Sequence, residues 1–392
     1  MEYKKLGEII EFNPQEKLVK TKKYKKIKME NIECFNKNIT KYSIEEYNGG
    51  MKFRNGDTLL ARITPCLENG KTAQVNILEE NEIGYGSSEY IVMRSKDKIS
   101  DKDYIYYLAI SPFFRNIAIK SMVGTSGRQR VQLDVLKNIE MKIPDYEVQV
   151  KIGKILSKFD EKININNKIN DNLHKILEQY IKERYYNNEF VQNGNVNDIG
   201  KIQGGYAFKS KDLLNETTNN KVLKIKNISV NGVDIDNTQC VYDEVADKVD
   251  KKFLLLRGNV IIAMTGAELG KTGYLYGQDY RYFLNQRVGV IRGNDKYSEL
   301  YLNCLFLLKD MQNTLNSKGY GSAQPNISTS DIENIEIPIP KEDELETFYE
   351  KCNPIYSKMI LNSEQNQSLT QLRDALLPKL MNGEIDLDKI EI

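Results

Sequence analysis

The feature that most constrains the fold is an internal duplication. Three segments recur in the same order, two of them at an offset of 196 residues: 138–144 with 334–340, 27–32 with 223–228, and, with small gaps, 56–72 with 258–272. Solenoid repeats have periods of about 20–50 residues, so this period is too long for a solenoid. The matches predict two globular copies, each followed by a long polar segment with spaced apolar residues.

Each copy is predicted to be a mixed α/β domain. Short apolar runs with turn residues, such as 57–63 and 90–94, are typical of strands. Residues 101–116 and 298–315 have apolar residues on one side at helical spacing. The expected fold class is α+β, with two pseudo-symmetric domains separated by two long antiparallel helices that form a coiled-coil spacer. The predicted bounds are 1–144 and 191–340 for the domains, 145–190 for the first helix, and 341–392 for the second helix and its tail.

The first long segment carries a heptad pattern. Its seam advances in alternating steps of four and three through Val148, Ile152, Ile155, Phe159, Lys162, Asn166, Ile169, Leu173, Ile176 and Tyr180. This spacing places a narrow apolar stripe on one side of a long helix. The 196-residue offset gives the second seam: Phe348, Ile355, Asn362, Leu369 and Leu376. About 35 residues of helix span roughly 50 Å, which suits a rigid spacer between two domains.

Two asparagines lie in these apolar seams, and two prolines lie elsewhere in the second helix. Asn166 and Asn362 occupy equivalent positions near the middle of each helix. Because a buried Asn in an apolar seam fixes the register, we predict that the helices pair antiparallel and that these two residues meet. The alternative is that both side chains face solvent. Pro354 predicts a kink or a broken first turn in the second helix, and Pro378 a disturbed last turn.

The charge is unevenly distributed along the chain. The formal net charge is only +1, but residues 1–143 carry a net charge of +6, residues 191–340 are neutral, and residues 341–392 carry −5. A basic first domain suits a polyanionic partner. The neutral second domain needs a local basic surface to bind the same partner.

Composition and motifs also exclude several classes of protein. No apolar run approaches the roughly 18 residues of a spanning helix, and the N-terminus lacks the features of a secretory signal. We therefore expect a cytoplasmic protein with no membrane contact. The cysteines are scattered without metal-ligand spacing, which predicts free thiols, no metal site and no cofactor: Cys34, Cys66, Cys240, Cys304 and Cys352. The single histidine, His174, is expected on a solvated helix face.

Two segments are similar to catalytic motifs but lack the required context. Residues 353–356 resemble the [DN]PPY loop of adenine methyltransferases, yet they lie on a polar helical pattern without a glycine-rich cofactor loop. Residues 266–272 have three residues between their glycines, where a phosphate-binding loop needs four. A turn between strands is the better interpretation of residues 266–272. No catalytic residue is predicted.

The layout resembles the DNA-specificity subunits of type I restriction–modification systems over essentially the whole chain. Residues 372–387 look like the second conserved helix of that family and its tail, and the repeated NIExxIP motif, residues 143–149 and residues 319–328 are also similar to family features. The resemblance implies a non-catalytic subunit with two target-recognition domains, each reading half of a bipartite asymmetric site in double-stranded DNA. It also implies that the helices set the gap and dock two adenine-methyltransferase (modification) subunits, which associate with restriction/translocase subunits.

Candidate DNA-binding residues lie in glycine-rich polar loops, because Arg, Lys, Asn and Gln side chains read base edges. Two loops supply candidate readers: Arg128, Gln129 and Arg130 in the first copy, and Gln324 with Lys318 and Tyr320 in the second. Candidates for holding phosphates are Arg62, Lys71, Lys209, Lys271 and Arg287. The alternative interpretation for each of these residues is a solvated surface position without a contact to DNA. Gln129 aligns with Gln324, which also permits a structural role in a turn.

Two other function classes remain open at this point. One is an enzyme that combines specificity with DNA modification, which the lack of cofactor motifs disfavours. The other is a coiled-coil scaffold that never contacts DNA, which the basic first domain disfavours. Apolar residues outside the seam could dock partner helices or pack against a domain: Ile163, Ile165 and Ile181.

Overall fold

The computed structural model of the protein describes residues 2–125, 127–186, 191–229, 232–319 and 325–387. The chain forms two compact units, Met1–Lys162 with Leu369–Ile392, and Ile163–Ser368. Two helices of 40 residues, Tyr146–Tyr185 and Glu342–Met381, each contribute one part to each unit. No helix in the described part of the chain is both long and apolar enough to cross a membrane.

The described residues of the first unit build two four-stranded sheets. One is antiparallel, in the order Ile10–Phe12, Tyr90–Ser95, Thr58–Ala61 and Thr72–Gln74. The other has one parallel pair in its centre, in the order Ser43–Glu46, Lys23–Ile27, Gly84–Gly86 and Met51–Phe53. Strand Glu2–Lys5 pairs with Glu140–Ile143. The shorter α-helices are Leu6–Ile9, Lys102–Ile110, Pro112–Lys120 and Leu133–Lys137.

The second unit repeats both sheets with the same strand order. The antiparallel sheet is Gly200–Gly204, Val288–Gly293, Val260–Ala263 and Thr272–Tyr274. The sheet with a central parallel pair is Gln239–Cys240, Asn220–Leu223, Arg281–Leu284 and Leu254–Leu255. Val191–Asn195 pairs with Glu336–Pro340, and Ile228–Ser229 with Gly232–Val233. The α-helices are Val196–Ile199, Asp243–Ala246, Lys296–Leu307, Lys309–Ser317 and Thr329–Glu333. This shared topology confirms the predicted duplication.

The central strands are apolar on both sides because each of their faces is covered. Leu60 packs into the core that contains the helix residues Tyr104 and Leu108, whereas Leu59 packs into the core that contains Phe53 of the other sheet. Successive side chains of a strand point to opposite faces, so the two leucines serve different cores. In the second unit, Val260 and Ile262 pack with the helices, and Ile261 and Ala263 pack with the second sheet.

Each predicted helix of residues 101–116 and 298–315 is in fact a pair of helices. The first pair breaks at Ser111, whose hydroxyl accepts a hydrogen bond from the backbone N–H of Phe114 (3.3 Å), and Pro112 is the first helical residue. Such a cap followed by proline begins a new helix. The second pair breaks at Leu308.

The second long helix runs from Glu342 to Met381 without interruption, so the broken first turn predicted at Pro354 was wrong, and Pro378 lies within the same helix. A proline leaves the carbonyl four residues earlier without its donor. Pro354 and Glu350 are both exposed, so water can hydrate that carbonyl at the helix surface. Beyond Pro378, the helix is extended by the backbone N–H of Asn382, which donates to the Pro378 carbonyl at 2.9 Å.

In the second unit the two long helices pair antiparallel through buried amides. Asn166 donates to Gln365 and Asn366, both at 2.8 Å, and Asn362 donates to Asn170 at 2.8 Å. Asn166 and Asn362 are both 1% exposed, so neither faces solvent. The expected direct contact between them was wrong. The 196-residue offset relates Asn170 to Asn366, so the contacts 166–366 and 362–170 are the same contact with the repeats exchanged.

The buried stripe of the first long helix also departs from the predicted heptad seam. Lys162 and Ile176 are exposed, and the deepest burial runs through Gln149, Ile152, Leu156, Asp160, Asn166, Asn170, Leu177, Ile181 and Tyr185. These steps follow the ~3.6 residues per turn of a straight helix, which drifts away from a strict seven-residue repeat. Ile181 is therefore a core residue, and Ile165 is the exposed one of the three proposed docking residues.

We expect Asn362→Ala to lower the free energy of unfolding of the second unit by about 1–3 kcal/mol, because it leaves the buried Oδ1 of Asn170 without the donor that Asn362 supplies. Native-state hydrogen exchange of amides in both long helices measures the effect. Asn172→Ala, on the exposed side of the first long helix, is the matched control and should change stability by a few tenths of a kcal/mol. Equal effects of the two substitutions would contradict the role of the amide contact.

Candidate nucleic-acid interface

Three backbone hydrogen bonds assemble a surface in the first unit. The N–H of Arg62 donates to the carbonyl of Glu89 (2.9 Å), that of Val131 to Arg62 (2.8 Å), and that of Thr64 to Gln129 (3.0 Å). We call residues 62–64, 89, 123–125 and 127–131 the first loop cluster. The bonds bring Arg62 next to the loop that carries Gln129 and Arg130, which lies on a separate segment of the sequence.

The loop of the first cluster is a tight turn that depends on glycine. Val123 and Arg130 exchange backbone hydrogen bonds of 3.0 and 2.9 Å, and Arg128 donates to Thr125 at 3.0 Å. Gly124 has a φ of +140°, and a Cβ there would lie 2.8 Å from the carbonyl oxygen of Arg128. A side chain at this position would therefore collide with the loop backbone. The turn leaves Arg128 exposed.

The charged groups of the first cluster are arranged around Glu89. Arg130 places its Nε 3.0 Å from both carboxylate oxygens and its Nη2 2.6 Å from Oε1. These hydrogen bonds hold the pKa of Glu89 below its usual value, against the opposing effect of burial, and the charge of Arg62 acts in the same direction. The Nε of Arg62 is buried and has no hydrogen-bond partner among the described residues. Two cations thus share one carboxylate.

The same three hydrogen bonds recur in the second unit. The N–H of Met264 donates to Arg287 (3.0 Å), that of Ile327 to Met264 (3.0 Å), and that of Gly266 to Pro325 (2.8 Å). We call residues 264–266, 287 and 325–327 the second loop cluster. The two clusters therefore share one backbone framework.

The side chains on this framework differ between the two clusters. Arg62 corresponds to Met264, Glu89 to Arg287, and Arg130 to Asn326. The expected correspondence of Gln129 with Gln324 does not hold, because Pro325 takes the backbone position of Gln129. A proline suffices there because only its carbonyl is used.

Sequence reasoning missed Glu89 as a site residue. It directly precedes the strand Tyr90–Ser95, as Arg287 directly precedes Val288–Gly293, and this shared position was the available signal.

The remaining candidates lie in different environments. Lys71 donates from Nζ to the Met29 carbonyl at 2.7 Å, and Lys271 forms a 2.7 Å ion pair with Glu268. Arg287 is exposed, with a φ of +69°. Lys209 and Lys318 are exposed. Tyr320 and Gln324 lie outside the described residues.

The residues for which the sequence disfavours a catalytic role lie at positions where they contribute to the fold. Residues 353–356 lie within the second long helix, where the Tyr356 hydroxyl donates to the Gly258 carbonyl at 2.7 Å. Residues 266–268 form one 3-10 turn between two strands. His174 is half-buried with its Nε2 3.1 Å from the Leu307 carbonyl oxygen, so the expected solvated face was wrong. In the described part of the chain, no group of three or more His, Cys, Asp or Glu residues is arranged to hold a metal ion.

A duplicated α+β fold that carries two loop clusters on one framework defines a protein with two related but non-identical domains. The chain belongs to the type I restriction modification DNA specificity domain family, whose sequence model matches residues 1–175 and again residues 188–371. The family predicted from the sequence is confirmed.

Relatives and a solved structure resemble the chain over most of its length. The type I restriction enzyme MjaIX specificity subunit of Methanocaldococcus jannaschii is 29% identical over 310 residues, covering 74% of this chain and 70% of the relative. The HindI specificity subunit of Haemophilus influenzae is 24% identical over 412 residues, covering 85% and 87%. The crystal structure of a type I restriction-modification S subunit from M. genitalium has a similar fold, with a TM-score of 0.55, 16% identity, and coverage of 97% and 96%.

Proposed function

We propose that this chain is the DNA-specificity subunit of a type I restriction–modification complex and reads a bipartite, asymmetric site in double-stranded DNA. Each loop cluster contacts one half-site. Residues 1–144 and 191–340 are the target-recognition domains, and residues 145–190 and 341–392 contain the helices that set the gap. The observation that carries this proposal is one backbone framework that presents different side chains in the two clusters.

The two clusters present different hydrogen-bond donors and acceptors, which supports recognition of two different half-sites. Base edges are read by side chains that donate to or accept from them in the major groove. The first cluster offers Arg62 and Arg130 around Glu89, and the second offers Arg287 and Asn326. Two surfaces with different donors and acceptors favour different base pairs, so the whole site is asymmetric. The net charge of +6 on residues 1–143 adds sequence-independent attraction to phosphates.

Catalysis is assigned to other subunits. The chain assembles with two adenine-methyltransferase (modification) subunits and with restriction/translocase subunits, and it works in the cytoplasm, where the host DNA is. The buried amide contacts of Asn166 and Asn362 fix the register of the long helices and thereby the gap between the half-sites. The isolated chain should transfer no methyl group from labelled S-adenosylmethionine to DNA.

The decisive experiment is co-expression with the modification subunit, followed by methylome sequencing of the host DNA. We expect one bipartite motif with adenine methylated in each half, and we expect its loss when this chain is omitted. Replacing residues 1–144 with the matching segment of a relative should change one half-site only. Methylation that persists unchanged without the chain would refute the proposed function.

A further inference from the structure

The guanidinium of Arg130 is held on one edge and open on the other. Glu89 accepts hydrogen bonds from Nε and Nη2, which leaves both N–H groups of Nη1 and one of Nη2 for other acceptors. The Arg130 side chain is 43% exposed, so the open edge has access to solvent. Two adjacent N–H groups match the O6 and N7 acceptors that a guanine presents in the major groove.

We propose, building on the proposed function, that Glu89 is a positioning residue that fixes Arg130 to read a guanine in the half-site bound by the first loop cluster. A free arginine side chain has many rotamers and loses entropy when it docks on a base. The bidentate ion pair to Glu89 restricts these rotamers before binding. Most of the conformational ordering of the Arg130 side chain then takes place before DNA is bound. This raises the affinity for the matching base.

The surroundings of Glu89 fit this role. A lone carboxylate close to DNA would repel the phosphates. Here Arg62 lies near the same carboxylate and contributes to lowering its pKa, so the cluster of two cations and one anion stays positive. Since the pKa of Glu89 lies below its usual value, the carboxylate is ionised at neutral pH and can accept from Arg130.

The second loop cluster lacks this arrangement. Arg287 stands at the position of Glu89, and Asn326 stands at the position of Arg130. No carboxylate occupies the equivalent position there. The effect of Glu89 is therefore confined to one half-site, and the other half-site is an internal control within the same DNA.

The test uses the assembled complex and duplexes that carry the motif found by methylome sequencing. Each guanine is replaced in turn by 7-deazaguanine, which lacks the N7 acceptor. For the wild-type chain, one replacement should weaken binding roughly 10-fold or more, in the half-site that changes when residues 1–144 are exchanged. Arg130→Ala should bind more weakly and be insensitive to that replacement.

Substitutions at Glu89 separate positioning from a merely structural role. Glu89→Gln should lose most of the discrimination against 7-deazaguanine at that one position, and Glu89→Asp, which keeps the carboxylate, should retain more of it. Lys20→Ala, at an exposed position outside the first loop cluster, should retain the full discrimination. Thermal melting of each variant verifies that the fold is intact.

Two results would overturn the inference. One is a first half-site without any G·C pair. The other is a Glu89→Gln variant that binds every duplex more weakly by the same factor but discriminates as well as the wild type. A wild-type complex that yields no chain-dependent motif would instead refute the proposed function, and the inference would fall with it.

Discussion

Arg373→Met is expected to lower the free energy of unfolding of the first unit by about 3–5 kcal/mol. Arg373 and Asp160 are 4% and 6% exposed and form an ion pair between the two long helices, and the Tyr107 hydroxyl donates to the other oxygen of Asp160 at 2.5 Å. Removing the guanidinium leaves a buried carboxylate without its counter-charge. Native-state hydrogen exchange of amides in the first unit measures the loss.

The electrostatics of this pair explain the size of the effect. Burial by itself would lower the pKa of Arg373, but the carboxylates of Asp160 and Asp374 outweigh burial, so the pKa is raised. The two carboxylates thus offset the cost of burying the guanidinium charge. Adding Asp160→Asn to Arg373→Met should recover much of the stability, because the amide is neutral and can still accept from Tyr107.

The second unit shows that these positions also accept apolar residues. At the 196-residue offset, Asp160 corresponds to Tyr356 and Arg373 to Leu177, and both of these lie in an apolar core. Lys271→Met, which removes the solvent-exposed pair with Glu268, is the control and should cost about 0–1 kcal/mol. A similarly small effect of Arg373→Met would show that the buried pair does not stabilise the helix contact.

The second large effect is expected from the double substitution Arg62→Ala with Arg130→Ala, which should weaken DNA binding roughly 100-fold or more. Each arginine that contacts a base contributes about 1–3 kcal/mol. The substitution also leaves the Glu89 carboxylate without either cation, facing the phosphates. Fluorescence anisotropy of the assembled complex with a duplex carrying the methylome-derived motif measures the affinity.

Two further variants test the cause of that loss. Adding Glu89→Gln should recover part of the affinity, because it removes the unpaired negative charge. Lys17→Ala with Lys20→Ala removes the same total charge from exposed positions of the first unit and should have a much smaller effect. Equal losses from the two double substitutions would mean that net charge, and not the first loop cluster, determines binding.

The duplication, the family and the two long helices could be predicted from the sequence, because each depends on residue patterns that are visible along the linear chain. The sequence also predicted Arg130 from a glycine-rich loop. Glu89 was missed because it lies 41 residues from Arg130, and their contact exists only through the folded backbone. The hydrogen bond of Lys71 and the ion pair of Lys271 could not be predicted for the same reason.

The register of the long helices shows a different limit. The 196-residue offset identifies equivalent residues, and equivalence does not imply contact. In an antiparallel pair, equivalent residues meet only at the centre of the contact. Asn166 and Asn362 lie off that centre, so each meets the residue one helical turn beyond the other: Asn166 bonds Asn366, and Asn362 bonds Asn170. Locating the centre requires the packed helices.

The three hydrogen bonds that set the framework of each loop cluster join backbone atoms only. Side chains as different as those of Arg62 and Met264, or Glu89 and Arg287, therefore occupy the same framework positions. We expect mutations at these positions to leave the backbone framework in place. Under the proposed function, the protein can then acquire new sequence preferences by point mutation without a change of fold.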